Sequence, residues 1–328
     1  MTAAFKWAAR VRHRNSRLLY FGRHIARLLA PRAVHRWRRR RLLDEMDNQE
    51  REAVEARARY YNKVRKPFEV GSEVAPLRLW HARDLRNYYL DLLEYLRYFP
   101  PELRVNYRFG DDSSVPATPT LVKARPIVGD HDHSVLFKLD RVRHFIFVKD
   151  RRPHTEKLDR LVWRGHASAP HRIRFLEKFF GHELCDVGQV GGSGAEVPWR
   201  KPFMSVDEHL GFKFVLSIEG HDVATNLKWI LSSNSLCFMA RPKFESWFME
   251  GTLIPDHHYV HLADDYSDLD EKIRFYSGNR DAAQRILDNA HAFIAPFRDA
   301  RRESLVSLTV LQRYFELSGQ LPAPAFRA

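Results

Sequence analysis

No stretch of this chain approaches the ~18 consecutive apolar residues that a membrane-spanning helix needs. Its first residues also lack the compact apolar core and small-residue cleavage site of a secretory leader. Cysteine is scarce: Cys185 and Cys237 are the only two in 328 residues, each inside an apolar segment. That excludes a disulfide framework and a cysteine-based zinc site, and predicts two buried free thiols in a cytoplasmic protein. Internal repeats and low-complexity tracts are absent as well.

Acidic residues are missing from one region. Residues 1–43 carry thirteen Lys and Arg, from Lys6 to Arg41, and no Asp or Glu. The rest of the chain holds 41 basic and 41 acidic residues, so the whole formal excess of +13 sits in this N-terminal arm. Leu18, Phe21, Ile25, Leu28 and Leu29 recur in it at helical spacing, with Arg17, Arg23 and Arg27 between them. A basic amphipathic helix of that kind suits an anionic membrane surface, which predicts peripheral attachment to the inner face of the cytoplasmic membrane. Two alternatives stand beside it: a helix packed on the body with Arg36 to Arg41 as a solvated charge run, and a nucleic-acid-binding arm. A neutral body without a nucleic-acid-reading motif speaks against the last.

What is present supports an ordered core, with 44% apolar and 12% aromatic residues. The composition turns to mixed charge at Asp44, predicting a polar helix to about Tyr61. A second helix is expected over 80–98, with Leu85, Tyr88, Tyr89, Leu92, Leu93 and Leu96 on one side. Val105–Phe109, Val135–Leu139 and Phe145–Val148 read as strands between turns. From Leu161 onward strand and helix alternate. Strands are expected at Leu161–Trp163, Leu184–Val187, Phe214–Ile218, Leu236–Met239 and Tyr259–His261. Helices are expected at 169–180, Val223–Leu231, Phe244–Glu250 and most of 267–317, with a Gly-rich loop at Gly188–Gly194. Such alternation implies βαβ units and a parallel sheet.

Four segments carry candidate chemistry. Trp163-Arg164-Gly165-His166, followed by Ala169-Pro170-His171-Arg172, is a strand end turning into a helix. Free backbone N–H groups and a guanidinium meet there, which suits a diphosphate. Phe212 to Gly220 is a buried strand ending at Glu219-Gly220, and the polar run His221 to Trp229 follows. Ligands of doubly wound folds sit at such carboxyl ends, although Asp222 or Thr225 could equally be a helix cap. The third segment runs Phe244 to Gly251 and on to Pro255, His258, Tyr259 and Val260. The fourth is Val105-Asn106-Tyr107-Arg108-Phe109-Gly110-Asp111-Asp112, then Pro119, Leu121, Lys123, Arg125 and Pro126. His131-Asp132-His133 reads as a polar turn rather than as metal ligands.

In this order the four segments resemble glycosyltransferase family 90, which includes the protein O-glucosyltransferases and the fungal capsule-associated proteins. The likeness is to its bacterial members, which are associated with lipopolysaccharide and other surface glycans, and it spans roughly residues 103–317. The family's Arg-Gly motif falls on Arg164 and Gly165, its following Arg on Arg172, and its Asp-Gly strand end on Glu219-Gly220. Its hydrophobic-Tyr-hydrophobic segment falls on His258-Tyr259-Val260.

The resemblance implies a GT-B fold of two Rossmann-like α/β domains. The boundaries it suggests are a 1–43 arm, an acceptor-side domain at 44–155 and a donor-binding domain at 156–328. It implies an inverting transfer from a nucleotide-sugar, such as a UDP-sugar, to a hydroxyl of a lipid-linked or surface glycan, with no metal and no other cofactor. Arg164, Gly165, Arg172, Glu219, Gly220 and Thr225 would hold the donor. Two departures from the family pattern stand out. Asn226 occupies the place of an Arg that reaches the diphosphate, with Lys228 nearby as a substitute cation. The catalytic carboxylate follows its Asn-x-Arg segment only after Phe109-Gly110, which leaves Asp111 and Asp112 as rival bases, Asp111 preferred. A non-catalytic relative is the alternative that Asn226 prompts.

Overall fold

The computed structural model describes residues 17–79, 87–191 and 196–322. The expectations placed on residues 1–16, 80–86 and 192–195 lie outside the described residues: the start of the arm, the start of the second helix and the middle of the Gly-rich loop.

Helix α1 (Arg17–Leu29) ends at Ala30-Pro31, and α2 (Arg32–Asp44) begins directly after that proline. Pro cannot donate into a preceding turn, and just before a first turn its missing N–H is harmless. Asp47 caps α3 (Asn48–Tyr61), its side chain accepting from the Glu50 N–H at 2.7 Å. Helix α4 (Asn87–Leu96) follows, buried along most of its length. Three short strands come next, β1 (Thr120–Val122), β2 (Ala124–Pro126) and β3 (Ser134–Leu136).

The βα alternation then begins with β4 (Leu158–Gly165), α5 (Pro170–Phe179), β5 (Cys185–Gln189), β6 (Phe212–Leu216), α6 (Leu227–Leu231) and β7 (Leu236–Met239). Strands β8 (Phe244–Ser246) and β9 (Val260–His261) lead to the helices α7 (Leu269–Gly278), α8 (Arg280–Arg298) and α9 (Ala300–Leu317).

By contacts the chain divides into two units. A helical unit comprises Arg17–Val142, Lys243–Met249 and the residues from Pro296 on. A sheet unit comprises Arg143–Pro242 and Glu250–Ala295.

The sheet unit holds a five-stranded sheet in the order β5-β4-β6-β7-β9, every neighbouring pair parallel. Alternate residues serve opposite faces of a strand. Leu161, Trp163, Phe214, Leu216 and Phe238 therefore share one core with Phe175 and Leu176 of α5, Ile273 of α7 and Leu287 of α8. Val162, Val215 and Cys237, one step out of phase, are buried on the other face. Burial on both faces is why these strands read as unbroken apolar runs.

The helical unit contains no comparable sheet among the described residues. β1 pairs with β3 in parallel, and β2 pairs with β8 antiparallel. Among the described residues a parallel sheet of more than two strands is thus present once, and the second Rossmann-like sheet expected near the N-terminus is not among them.

Several local expectations need correction. Phe244–Glu250 is not a helix, because β8 aligns Glu245 opposite Arg125 of β2, with the Arg125 Nε 2.8 Å from the carboxylate. Trp247 then stacks on Tyr61 at 3.9 Å and donates its indole N–H to Glu303 at 2.7 Å. These distant partners outweigh a seven-residue helical pattern. Phe145–Val148 forms no strand, since the Val148 N–H bonds the Ser232 hydroxyl at 2.9 Å. Val105–Phe109 contributes a single bridge, Tyr107 to Leu121.

Candidate functional site

The sheet order turns back beside its first strand: β4 is followed by β5 on one side and by β6 on the other. At such a switch point the connections leave in opposite directions, so the carboxyl ends of the two strands open a crevice where ligands bind. The first two sequence segments come together there.

Arg172 lies in the first turn of α5, which has Pro170 at its first position and no side-chain cap. Its Nε donates to the Glu219 carbonyl at 2.9 Å, one terminal nitrogen to the Ile218 carbonyl at 2.7 Å and the other to the His166 carbonyl at 2.9 Å. The guanidinium therefore bridges the loops that follow β4 and β6. His171 supports the same carbonyl, its Nε2 lying 2.7 Å from the Glu219 oxygen. Space beside Gly220 is tight: a Cβ there would come within 3.2 Å of the Arg172 guanidinium. A Cβ on Gly165 would collide at 2.4 Å with the ring of Trp163, and Arg172 lies 5.8 Å from that ring's centroid.

Burial pushes the Arg172 pKa below its ordinary value, with Tyr266 and Glu219 opposing the shift. An arginine stays cationic through such a change. Among the described residues no carboxylate forms an ion pair with it, and its guanidinium hydrogen-bonds peptide carbonyls instead. A helix N-terminus beside an unneutralised guanidinium is suited to an anion.

Arg164 is placed differently. Its guanidinium donates to the Asp186 carboxylate at 2.7 Å and to the Asp186 carbonyl at 2.7 Å, and its side chain is 6% exposed. Burial alone would push the Asp186 carboxyl up, but hydrogen bonds from Lys201 and Arg164 hold it below the ordinary carboxylate value. Lys228 is fully buried, with its Nζ 2.6 Å from Glu250.

Asn226 stands at the N-cap position of α6 without capping it. Its amide nitrogen bonds the Leu216 carbonyl at 2.9 Å and its oxygen accepts from Ser217 at 3.2 Å, tying the end of β6 to the start of α6. The helix expected from Val223 therefore begins only at Leu227, and neither Asp222 nor Thr225 caps it. Thr225 is exposed in the turn before it. The strand end thus gathers Arg172, Gly165, Glu219, Gly220, Thr225 and Asn226, while Arg164 and Lys228 are each engaged by a carboxylate.

The two carboxylates from the fourth segment belong to the helical unit, and the structure separates their roles. Gly110, at φ 112°, turns the chain in a conformation open to glycine. Asp112 then closes the turn on itself, accepting from the Ser114 N–H at 2.9 Å and from Arg108 at 3.2 Å, and these contacts hold its carboxyl below the ordinary value. Asp111 faces other partners: the buried Lys123 ammonium, and the Tyr88 hydroxyl at 3.1 Å.

Lys123 and Asp186 are the partners that the sequence did not single out for these roles. Each left a trace, a charged residue beside or inside a short apolar strand, Leu121-Val122 and Leu184-Val187 respectively. His131 turns inward to Lys63 at 2.8 Å, and among the described residues no group of three His, Cys, Asp or Glu is placed to hold a metal.

Comparison with known proteins adds independent information. The family model for glycosyl transferase family 90 matches residues 146–320. The first three segments lie inside that match, and Asp111 and Asp112 lie outside it. The O-glucosyltransferase LpsA of Dichelobacter nodosus is 46% identical over 269 residues, covering 81% of this chain and 84% of that protein. The chain belongs to glycosyl transferase family 90 and is a glycosyltransferase.

Proposed function

We propose that this enzyme moves a glucosyl group from a nucleotide-sugar, with uridine diphosphate leaving, to a hydroxyl of a surface glycan such as lipopolysaccharide, inverting the configuration at C1. The observation that carries the reading is Arg172, a cation with no carboxylate partner among the described residues, at the switch point of the sheet and in the first turn of α5. As the C1–O bond to the diphosphate breaks, the leaving group keeps the electron pair and gains negative charge. The Arg172 guanidinium stabilises that charge without moving, at the positive end of the α5 dipole. Gly165 and Gly220 keep side chains away from the same place, and the Thr225 hydroxyl lies on the loop that follows β6.

Asp111 supplies the complementary half of the chemistry. The acceptor oxygen attacks C1 while its proton passes to the Asp111 carboxylate, which Lys123 and Tyr88 hold in position. Asp112 is a turn residue, and Arg164 and Lys228 support the unit that contains them. The glucosyl group and the glycan acceptor draw on the name of the Dichelobacter relative and on the family's bacterial members.

Product stereochemistry tests the reading. UDP-α-glucose and a lipopolysaccharide core acceptor are expected to give a β-linked glucoside, recognised by its large anomeric proton coupling. An α-linked product would overturn inversion. Asp111→Asn is expected to abolish transfer and leave UDP affinity unchanged, with Asp112→Asn retaining most activity. The reverse pattern would move the base by one residue.

A further inference from the structure

An amphipathic surface helix ordinarily buries its apolar stripe and shows its polar side to water. Helix α1 does the reverse. Tyr20, His24 and Arg27, spaced three and four apart, face the helical unit. The Tyr20 hydroxyl donates to Asp91 at 2.6 Å, His24 Nε2 lies 3.2 Å from Glu94, and Arg27 pairs with Glu94. Arg141 closes the cluster, its backbone N–H on Asp91 at 2.8 Å and its guanidinium on Asp91, Glu94 and His24. Burial pushes the His24 pKa down, so the ring is neutral at physiological pH, and burial first among several causes pushes the Tyr20 pKa up.

The opposite side of α1 is apolar and exposed. Ile25 and Leu29 follow Leu18 by seven and eleven residues, each within about 20° of it around the axis, and Leu18, two residues from Tyr20, lies about 200° from it. Leu18 is 87% and Leu29 80% exposed. Helix α2 continues the surface with Val34 and with Trp37, which is 60% exposed. Arg23, Arg36, Arg38 and Arg40 lie on the same two helices and are exposed themselves, and no acidic residue precedes Asp44. Among the described residues none of these four arginines makes an ion pair.

Exposed apolar side chains on helices that also carry exposed, unpaired arginines match a surface that offers hydrocarbon beneath negative charge. We propose that α1 and α2 form a membrane-docking face that sets Leu18, Ile25, Leu29, Val34 and Trp37 at the level of the acyl chains of an anionic bilayer, with the arginines among its headgroups. The buried polar side is what makes this possible, because the cluster around Asp91 and Glu94 fixes the rotation of α1 and keeps the apolar row outward before any lipid is met. Docking then requires no folding of this face, which favours binding. This surface is independent of the catalytic reading, since neither the donor group nor Asp111 takes part in it. Among the described residues no helix is long and apolar enough to cross a membrane.

Sedimentation with vesicles tests it. The full chain is expected to pellet with phosphatidylglycerol–phosphatidylcholine vesicles and to stay in solution with phosphatidylcholine alone. Replacing Leu18, Leu29 and Trp37 together by Ser is expected to weaken binding by on the order of 1000-fold, because three apolar side chains no longer contribute their burial. Arg23→Gln, Arg36→Gln, Arg38→Gln and Arg40→Gln together should weaken the salt dependence. Unchanged far-UV dichroism and melting of both variants show that the fold survives, as expected for exposed positions. Equal pelleting with neutral vesicles, or undiminished binding by the Ser variant, would overturn the proposal. So would duplex DNA that displaces the vesicles and binds the Ser variant as tightly as the parent.

Discussion

The sheet unit and the helical unit bury different chemistry. In the sheet unit one hydrocarbon cluster runs from Leu161 and Phe214 to Leu287, and ion pairs such as Lys228 with Glu250 join neighbouring parts of the unit. The helical unit is joined across long sequence distances by buried charge. Glu303 of α9 accepts from Lys138 at 2.6 Å and from Trp247 at 2.7 Å and forms an ion pair with Arg57 at 2.7 Å, and Asp91 and Glu94 gather Tyr20, His24, Arg27 and Arg141. Hydrocarbon is forgiving, because any side chain of similar volume restores most of the contact. A buried charge cluster is specific to its partners, and losing one member leaves the others charged and unsolvated.

The largest effect should come from removing α1 and α2. Truncation at residue 43 would strip Asp91 of Tyr20 and Glu94 of Arg27. The 44–328 chain is expected to lose several kcal/mol from the helical unit, seen as an early transition in urea. A two-step profile unchanged from the full chain would show that the cluster contributes little.

Next is Glu303→Ala, expected to lose about 3–5 kcal/mol, against about 0.5–1.5 for Ile286→Val in the sheet core. Equal losses would erase the contrast between the units. Burial alone would raise the Glu303 pKa, but Lys138 and Arg57 hold it below 4.5. A lowered carboxylate pKa contributes stability that is present above 4.5 and lost as pH falls through the folded value, so this contribution fades only in acid.

A smaller effect of opposite origin belongs to His209 in the sheet unit, which burial pushes down to about 4. The folded ring stays neutral where the unfolded one takes a proton, so stability declines as pH falls from 6.5 to about 4 and then levels. The decline due to this residue is roughly 3 kcal/mol. His209→Gln should flatten that part of the profile, and an unaltered slope would place the titration elsewhere.

The same contrast decides what could be read in advance. Strands at Leu161–Trp163 and Leu236–Met239 are legible because burial on both faces makes them apolar runs bounded by turns. The β8 segment is not, since Glu245 acquires its meaning only from Arg125, 120 residues away. The apolar row of α1 looks like an inward face by periodicity alone, and only the long-range partners Asp91 and Glu94 reverse it. At the strand ends the glycines and Arg172 follow from the segments and the family likeness. That Asp186 engages Arg164, and Glu250 engages Lys228, depends on side-chain pairing that spacing does not encode.

The assignment of Arg172 as the cation that receives the diphosphate is tested most directly by calorimetric titration of UDP into the parent enzyme, Arg172→Gln and Arg164→Gln. The account predicts that Arg172→Gln weakens UDP binding by roughly ten- to a hundredfold, the loss of a charge-assisted contact. Arg164→Gln should chiefly lower melting temperature. Unchanged UDP affinity in Arg172→Gln, with the loss appearing in Arg164→Gln instead, would contradict it.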